Sequence, residues 1–163
     1  AVFVARRALE LCRTVPGVVF ALMFVVAFGL GPLAGVLAIA LHTAGALGKQ
    51  FFETTENIDP KPVEGLRAAG ANWTQTVRFA AVPQVLASFA SFALLRFEIN
   101  VREATVLGFV GAGGIGQDLM EAIRKFYYSD VSAILALIIV VVVVIDISTQ
   151  YLRRWLMSAG VAR

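Results

Sequence analysis

The chain has 163 residues, of which 59% are hydrophobic and 15% charged, and its 14 basic and 11 acidic residues leave a net charge of +3. Soluble domains run near 45–50% apolar and about 25% charged. This composition therefore excludes a water-soluble globule, a disordered chain and a nucleic-acid-binding arm, and leaves an integral membrane protein. Cys12 is the single cysteine, so no internal disulfide forms. The chain opens AVFVARR, with neither an initiator Met nor a signal-peptide pattern, and reads as the interior of something longer.

From Thr14 to Gly48 no charged residue occurs, a run of 35 positions. As one helix it would extend about 52 Å, against a hydrocarbon core of about 30 Å. The run must fold back, and Gly29-Leu30-Gly31-Pro32 supplies the break. The expectation is a tight hairpin of membrane helices over about 15–30 and 32–50. Within it His42, the only histidine, reads as a packing residue, because the sequence sets no Cys or carboxylate beside it.

The loop over about 51–80 inverts the composition. Glu53, Glu56, Asp59, Lys61, Glu64 and Arg67 crowd into it, and Pro60 and Pro62 sit where a helix can begin. Val63, Leu66 and Gly70 recur at helical spacing, which predicts a short amphipathic helix ended by Gly70. Asn72 and Gln75 can cap a second short helix, and Trp73 suits a membrane interface.

A third apolar helix is predicted over about 83–104, ending in Arg96, Glu98, Arg102 and Glu103. A glycine-rich stretch and a polar segment up to Asp130 follow. The fourth helix, about 131–152, contains AILALIIVVVVVID and closes on Arg153-Arg154. Asp146 is read as a structural partner of Arg153 inside the bundle. Four crossings put both termini and the 51–80 loop on one side, with ten of the 14 basic residues. By the positive-inside rule that side is cytoplasmic, and 105–130 faces outward.

Gly111-Ala112-Gly113-Gly114-Ile115-Gly116 fits the dinucleotide pattern G-x-G-x-x-G. That motif needs a preceding strand and an acidic residue closing a second strand about 20 residues on, and neither context is present. The better reading is a bend near the outer surface, where small residues let backbones pack closely. Arg96 and Glu103 lie two turns apart, beyond expected contact, whereas Glu98 and Arg102 can pair as i, i+4. A charge near mid-bilayer costs about 2.5–3.5 kcal/mol, so Arg96 needs a partner from a neighbouring helix, a second subunit, water or an anion. Arg96 then either borders the path of an anionic substrate or belongs to a structural ion pair. No nucleophile–base set and no metal-ligand cluster is legible.

Glu64, Gly70 and Pro83 match in type and spacing the loop pattern E-A-A-x3-G-x9-I-x-L-P of ABC-importer permeases, with Gly65 and Leu66 replacing the alanines. The stretch from Arg96 to Gly116 and that from Arg13 to Gly45 resemble the phosphonate and phosphite importer permeases, and methionine-importer permeases are similar at greater distance. The resemblance implies an all-α polytopic transmembrane helix bundle of the type I importer class. It implies one permease domain over 1–163, the C-terminal part of a longer permease in a bacterial inner membrane. It implies a coupling segment at Glu64, Arg67, Ala68, Ala69, Gly70 and Pro83. Arg96, Glu98, Arg102 and Glu103, with Gly111, Gly113 and Gly114, are the candidate translocation pathway or gate. Expected partners are a second permease copy, two ATP-binding subunits, an extracytoplasmic phosphonate- or phosphite-binding protein and membrane lipid, without nucleic acid. No cofactor is expected in this chain; ATP and Mg belong to the ATPase subunit, and the chain is no enzyme. The alternatives are another importer permease such as a methionine type, or an ion-coupled secondary transporter, which would call for an inverted repeat that the sequence lacks.

Overall fold

The computed structural model describes residues 2–161, and among them it contains helices and no strand. The helices are α1 (Val2–Thr14), α2 (Gly17–Phe28), α3 (Pro32–Glu56), α4 (Pro60–Ala68), α5 (Trp73–Thr76), α6 (Val82–Gly108), α7 (Ile115–Arg124) and α8 (Tyr128–Val161). A π turn over Val77–Ala81 joins α5 to α6, so Trp73–Gly108 runs as one helix of 36 residues.

Three helices are long and apolar enough to cross a membrane: Pro32–Glu56, Trp73–Gly108 and Tyr128–Ser158. The first expected crossing is different. At 12 residues α2 extends only about 18 Å, too short for a 30 Å core. It continues instead from α1, a helix the sequence reading did not assign, with a bend of 89° between them. Pro16, the residue before α2, lacks an N–H and fixes the break. Counted as one broken span, α1 and α2 bring the crossings to four. α1 lies antiparallel along the second half of α3, with Arg6 paired to Glu56 at 2.5 Å, Leu9 against Gly48 and Cys12 against Gly45.

The helices pack through small residues. Ala21, Ala38, Leu107 and Ala112 form the buried core, and Ala34, Gly35, Gly45 and Ala46 are buried along α3. Lipid tails are as apolar as leucine, so close backbone approach rather than exclusion of water drives helix association in a bilayer. At Gly45 an added Cβ would come within 2.7 Å of the Cys12 Cβ. The apolar residues face outward: Val140 on α8 is 57% exposed and Val26 on α2 is 87% exposed, as expected of a surface covered by lipid.

Two boundaries differ from the sequence expectation. Pro83 lies in the first turn of α6, as expected, but the π turn and α5 extend the same span back to Trp73. The Pro83 ring would clash with the carbonyl four residues back, and the preceding π turn, in which the Val82 N–H reaches the Val77 carbonyl, opens room for it. The polar stretch after Gly116 folds into α7 and packs against α6 and α8.

Candidate functional site

Three places hold the residues singled out above. The first is α4. Asp59 caps its start, with Oδ1 accepting from the Lys61 N–H at 3.0 Å, and Pro60 occupies the first turn. Its end is a Schellman turn: the Ala71 N–H donates to the Leu66 carbonyl and the Gly70 N–H to the Arg67 carbonyl, both at 3.0 Å. Gly70 adopts φ +85°, which is why glycine stands there. Val63 and Leu66 turn inward; Glu64, Arg67 and Ala68 share an exposed side of α4, and Ala69 and Gly70 are exposed at its end. The predicted Asn72–Gln75 capping box is present, with both reciprocal bonds at 2.9 Å. It starts the long helix rather than a separate short one.

The second place is a polar cluster between α3 and α6, partly buried and centred on a buried arginine. Arg96 is 8% exposed. Its Nε donates to Thr43 Oγ1 at 3.3 Å, and the Thr43 hydroxyl donates to Asn100 Oδ1 at 3.0 Å. Its Nη2 contacts both His42 Nδ1 and Glu103 Oε2, the latter at 3.4 Å. The expectation that Arg96 and Glu103 lie too far apart is corrected. Seven residues separate them by about 10 Å along the axis, and two long side chains extended toward each other close that gap. His42 is likewise more than a packing residue. Its Nδ1 lies 3.9 Å from Glu103 Oε1, so a carboxylate does stand beside it. Helix packing brings these residues together across more than 50 positions of sequence, which periodicity does not show. Glu98 and Arg102 pair with each other as expected, with Arg102 half exposed. Asp146 accepts from Gln150 Nε2 at 2.9 Å, and no ion pair with Arg153 forms among the described residues.

The third place is the glycine corner between α6 and α7. Gly111, Gly113 and Gly114 adopt φ +79°, +81° and +80°. The Gly31 N–H donates to the Gly111 carbonyl at 3.0 Å, and an added Cβ on Gly113 would meet Pro32 at 2.7 Å. The corner is thus moulded onto the α2–α3 turn, and a helix rather than a strand precedes it, which removes the dinucleotide reading. Beyond it on α7, the hydrogen bond from Lys125 holds the Glu121 carboxyl below its ordinary range and raises the Lys125 ammonium. No group of three or more His, Cys, Asp or Glu residues placed to hold a metal occurs among the described residues.

The described residues thus form a bundle of apolar helices with a short exposed helix and a buried guanidinium. The same fold is found in the MetNI methionine ABC transporter in inward-facing conformations: TM-score 0.72, 21% identity, 91% of this chain and 72% of that chain covered. Residues 3–158 match the family model described as "Binding-protein-dependent transport system inner membrane component", and the chain belongs to that family. It is a multi-pass protein of a bacterial inner membrane. It is 46% identical over 151 residues to the phosphite transport system permease protein PtxC of Stutzerimonas stutzeri, covering 93% of this chain and 55% of that protein. It is 41% identical over 155 residues to the phosphate-import permease protein PhnE of Mycolicibacterium smegmatis, covering 95% of this chain and 29% of that one. The chain thus spans about half the length of PtxC.

Proposed function

We propose that this chain is the C-terminal part of a longer permease in an ATP-driven importer of a small tetrahedral phosphorus oxyanion, phosphite or phosphonate. The observation that carries this reading is the 46% identity to a phosphite permease over 93% of the chain. In this reading two copies of the permease, set in lipid, join two ATP-binding subunits and an extracytoplasmic binding protein. The α4 end, with its concentration of basic residues, is cytoplasmic. The exposed surface carrying Glu64, Arg67, Ala68, Ala69 and Gly70 meets the ATPase, which holds ATP and Mg. Closure of the ATPase pair moves α4, and the bundles alternate between inward and outward openings. Arg96 borders the anion path with Glu103 as its resident counter-charge; Glu98 and Arg102 lie toward the outer end, and Gly111, Gly113 and Gly114 form the corner that bounds it. The likeness to a methionine transporter supports the fold alone at 21% identity.

The test is uptake by the full-length permease, reconstituted with its ATPase and binding protein. Labelled phosphite and methylphosphonate are compared with phosphate and methionine. ATP-dependent uptake of phosphite or methylphosphonate is expected, and uptake of methionine alone would overturn the assignment. Glu64→Ala should reduce both ATPase capture and uptake while membrane insertion persists. Undiminished coupled uptake would remove α4 from the coupling role.

A further inference from the structure

Gln84 lies half-buried at the root of α6, and its carboxamide fastens three backbone groups. Oε1 accepts from the Asp59 N–H at 2.8 Å. Nε2 donates to the Asp59 carbonyl at 3.3 Å and to the Ala80 carbonyl at 2.9 Å. Asp59 is the residue that caps α4, and Ala80 lies in the π turn. One side chain therefore ties the entrance of α4 to the base of the helix that carries Arg96 twelve residues, or about 18 Å, further on.

The exit of α4 is fastened separately. Its Schellman turn at Gly70 runs directly into the Asn72–Gln75 capping box, which opens the same long helix. With Gln84 holding the entrance, α4 is pinned at both ends to one element. Without it, the entrance is joined covalently through residues 57–59, at the end of α3, and α4 rests on the π turn through packing alone. A force applied to the exposed side of α4 would then move α4 against that turn. With the bond made, the same force is delivered to the π turn and the helix beyond it. That turn precedes Pro83, which donates no hydrogen bond, so the helix is least constrained where Gln84 acts on it.

We infer that Gln84 is the positioning residue that transmits displacement of α4 into α6. This rests on α4 being the surface that meets the ATPase. The chemistry requires a side chain that donates and accepts at once. Gln84→Glu preserves length but sets a carboxylate against two carbonyl oxygens, and Gln84→Met preserves length and loses both functions.

The experiment compares wild type, Gln84→Glu and Gln84→Met in the complete transporter in proteoliposomes. It measures ATPase capture, ATP hydrolysis and phosphite imported per ATP hydrolysed. Capture and hydrolysis are expected to stay within about twofold, while import per ATP falls by about tenfold, the size of an ordinary coupling between sites. If Gln84 only braces the fold, import and hydrolysis fall together and the ratio holds, which overturns the inference. Should Gln84→Glu give no folded complex, the uncharged Gln84→Met carries the same comparison. Failure of the underlying reading is distinguishable: Glu64→Ala would then leave ATPase capture intact.

Discussion

Arg96 donates to acceptors from two helices: Thr43 and His42 on α3, and Glu103 on its own. A buried guanidinium is tolerable in a bilayer only when so enclosed. Removing one member of a fully buried ion pair costs about 3–5 kcal/mol because the other is stranded. Glu103 is 30% exposed, so its charge is partly screened and the cost is smaller. Glu103→Gln should destabilise the folded permease by about 1–2 kcal/mol, read as a lowered melting temperature in detergent. Arg96→Gln should reduce oxyanion uptake per folded molecule about tenfold or more, the equivalent of one charged hydrogen bond to a substrate oxygen. A purely structural pair would lower stability in both variants and leave uptake per folded molecule unchanged.

Among the elements, α4 and the glycine corner owe their shape to backbone geometry that side chains rarely adopt. Among the described residues, no heavy atom beyond Gly70 and its two chain neighbours lies within 4 Å of where a Gly70 Cβ would stand, so a substitution there meets no steric wall. Its cost is conformational, about 1–2 kcal/mol for an L-residue held at positive φ. Gly70→Val should fray the turn, seen as faster amide exchange at Gly70 and Ala71 with the membrane helices unchanged. Gly113 is constrained differently, because its neighbour is the Pro32 backbone, which cannot yield. Both glycines stood out in the sequence. Gln84 did not, because two of its three bonds reach a residue 25 positions away and no motif marks a lone glutamine after a proline.

For the molecule as a whole, the distribution of small and large apolar residues reverses that of a soluble protein. Alanines and glycines dominate the core, with Val85, Leu107 and Leu119 among them, and many large branched residues cover the outside. The membrane span of α8 has no buried residue in its most apolar stretch. Val140→Leu should be neutral there, whereas Val140→Arg should cost about 2.5–3.5 kcal/mol in an insertion assay. An equal tolerance for arginine would place that face against water or protein instead.

Composition and the lengths of charge-free runs were enough to define a helical membrane protein, its long apolar segments and the α4 loop. These properties are local: a hydrocarbon core of fixed thickness excludes charge and demands internally bonded backbone, and both demands are written residue by residue. Capping and turn signals were equally local, and Asn72, Gln75 and Gly70 could be read directly. The α1 helix and its 89° bend into α2 were not legible, because the bend depends on how α1 docks on α3, where Gly45 and Gly48 admit it. The contact of Arg96 with His42 arises only when α3 packs on α6, whereas its reach to Glu103 lies within α6 and depends on how far two long side chains extend. A linear pattern records which residues can share one helix face; which two faces meet, and at what height, is decided by close packing of the assembled bundle.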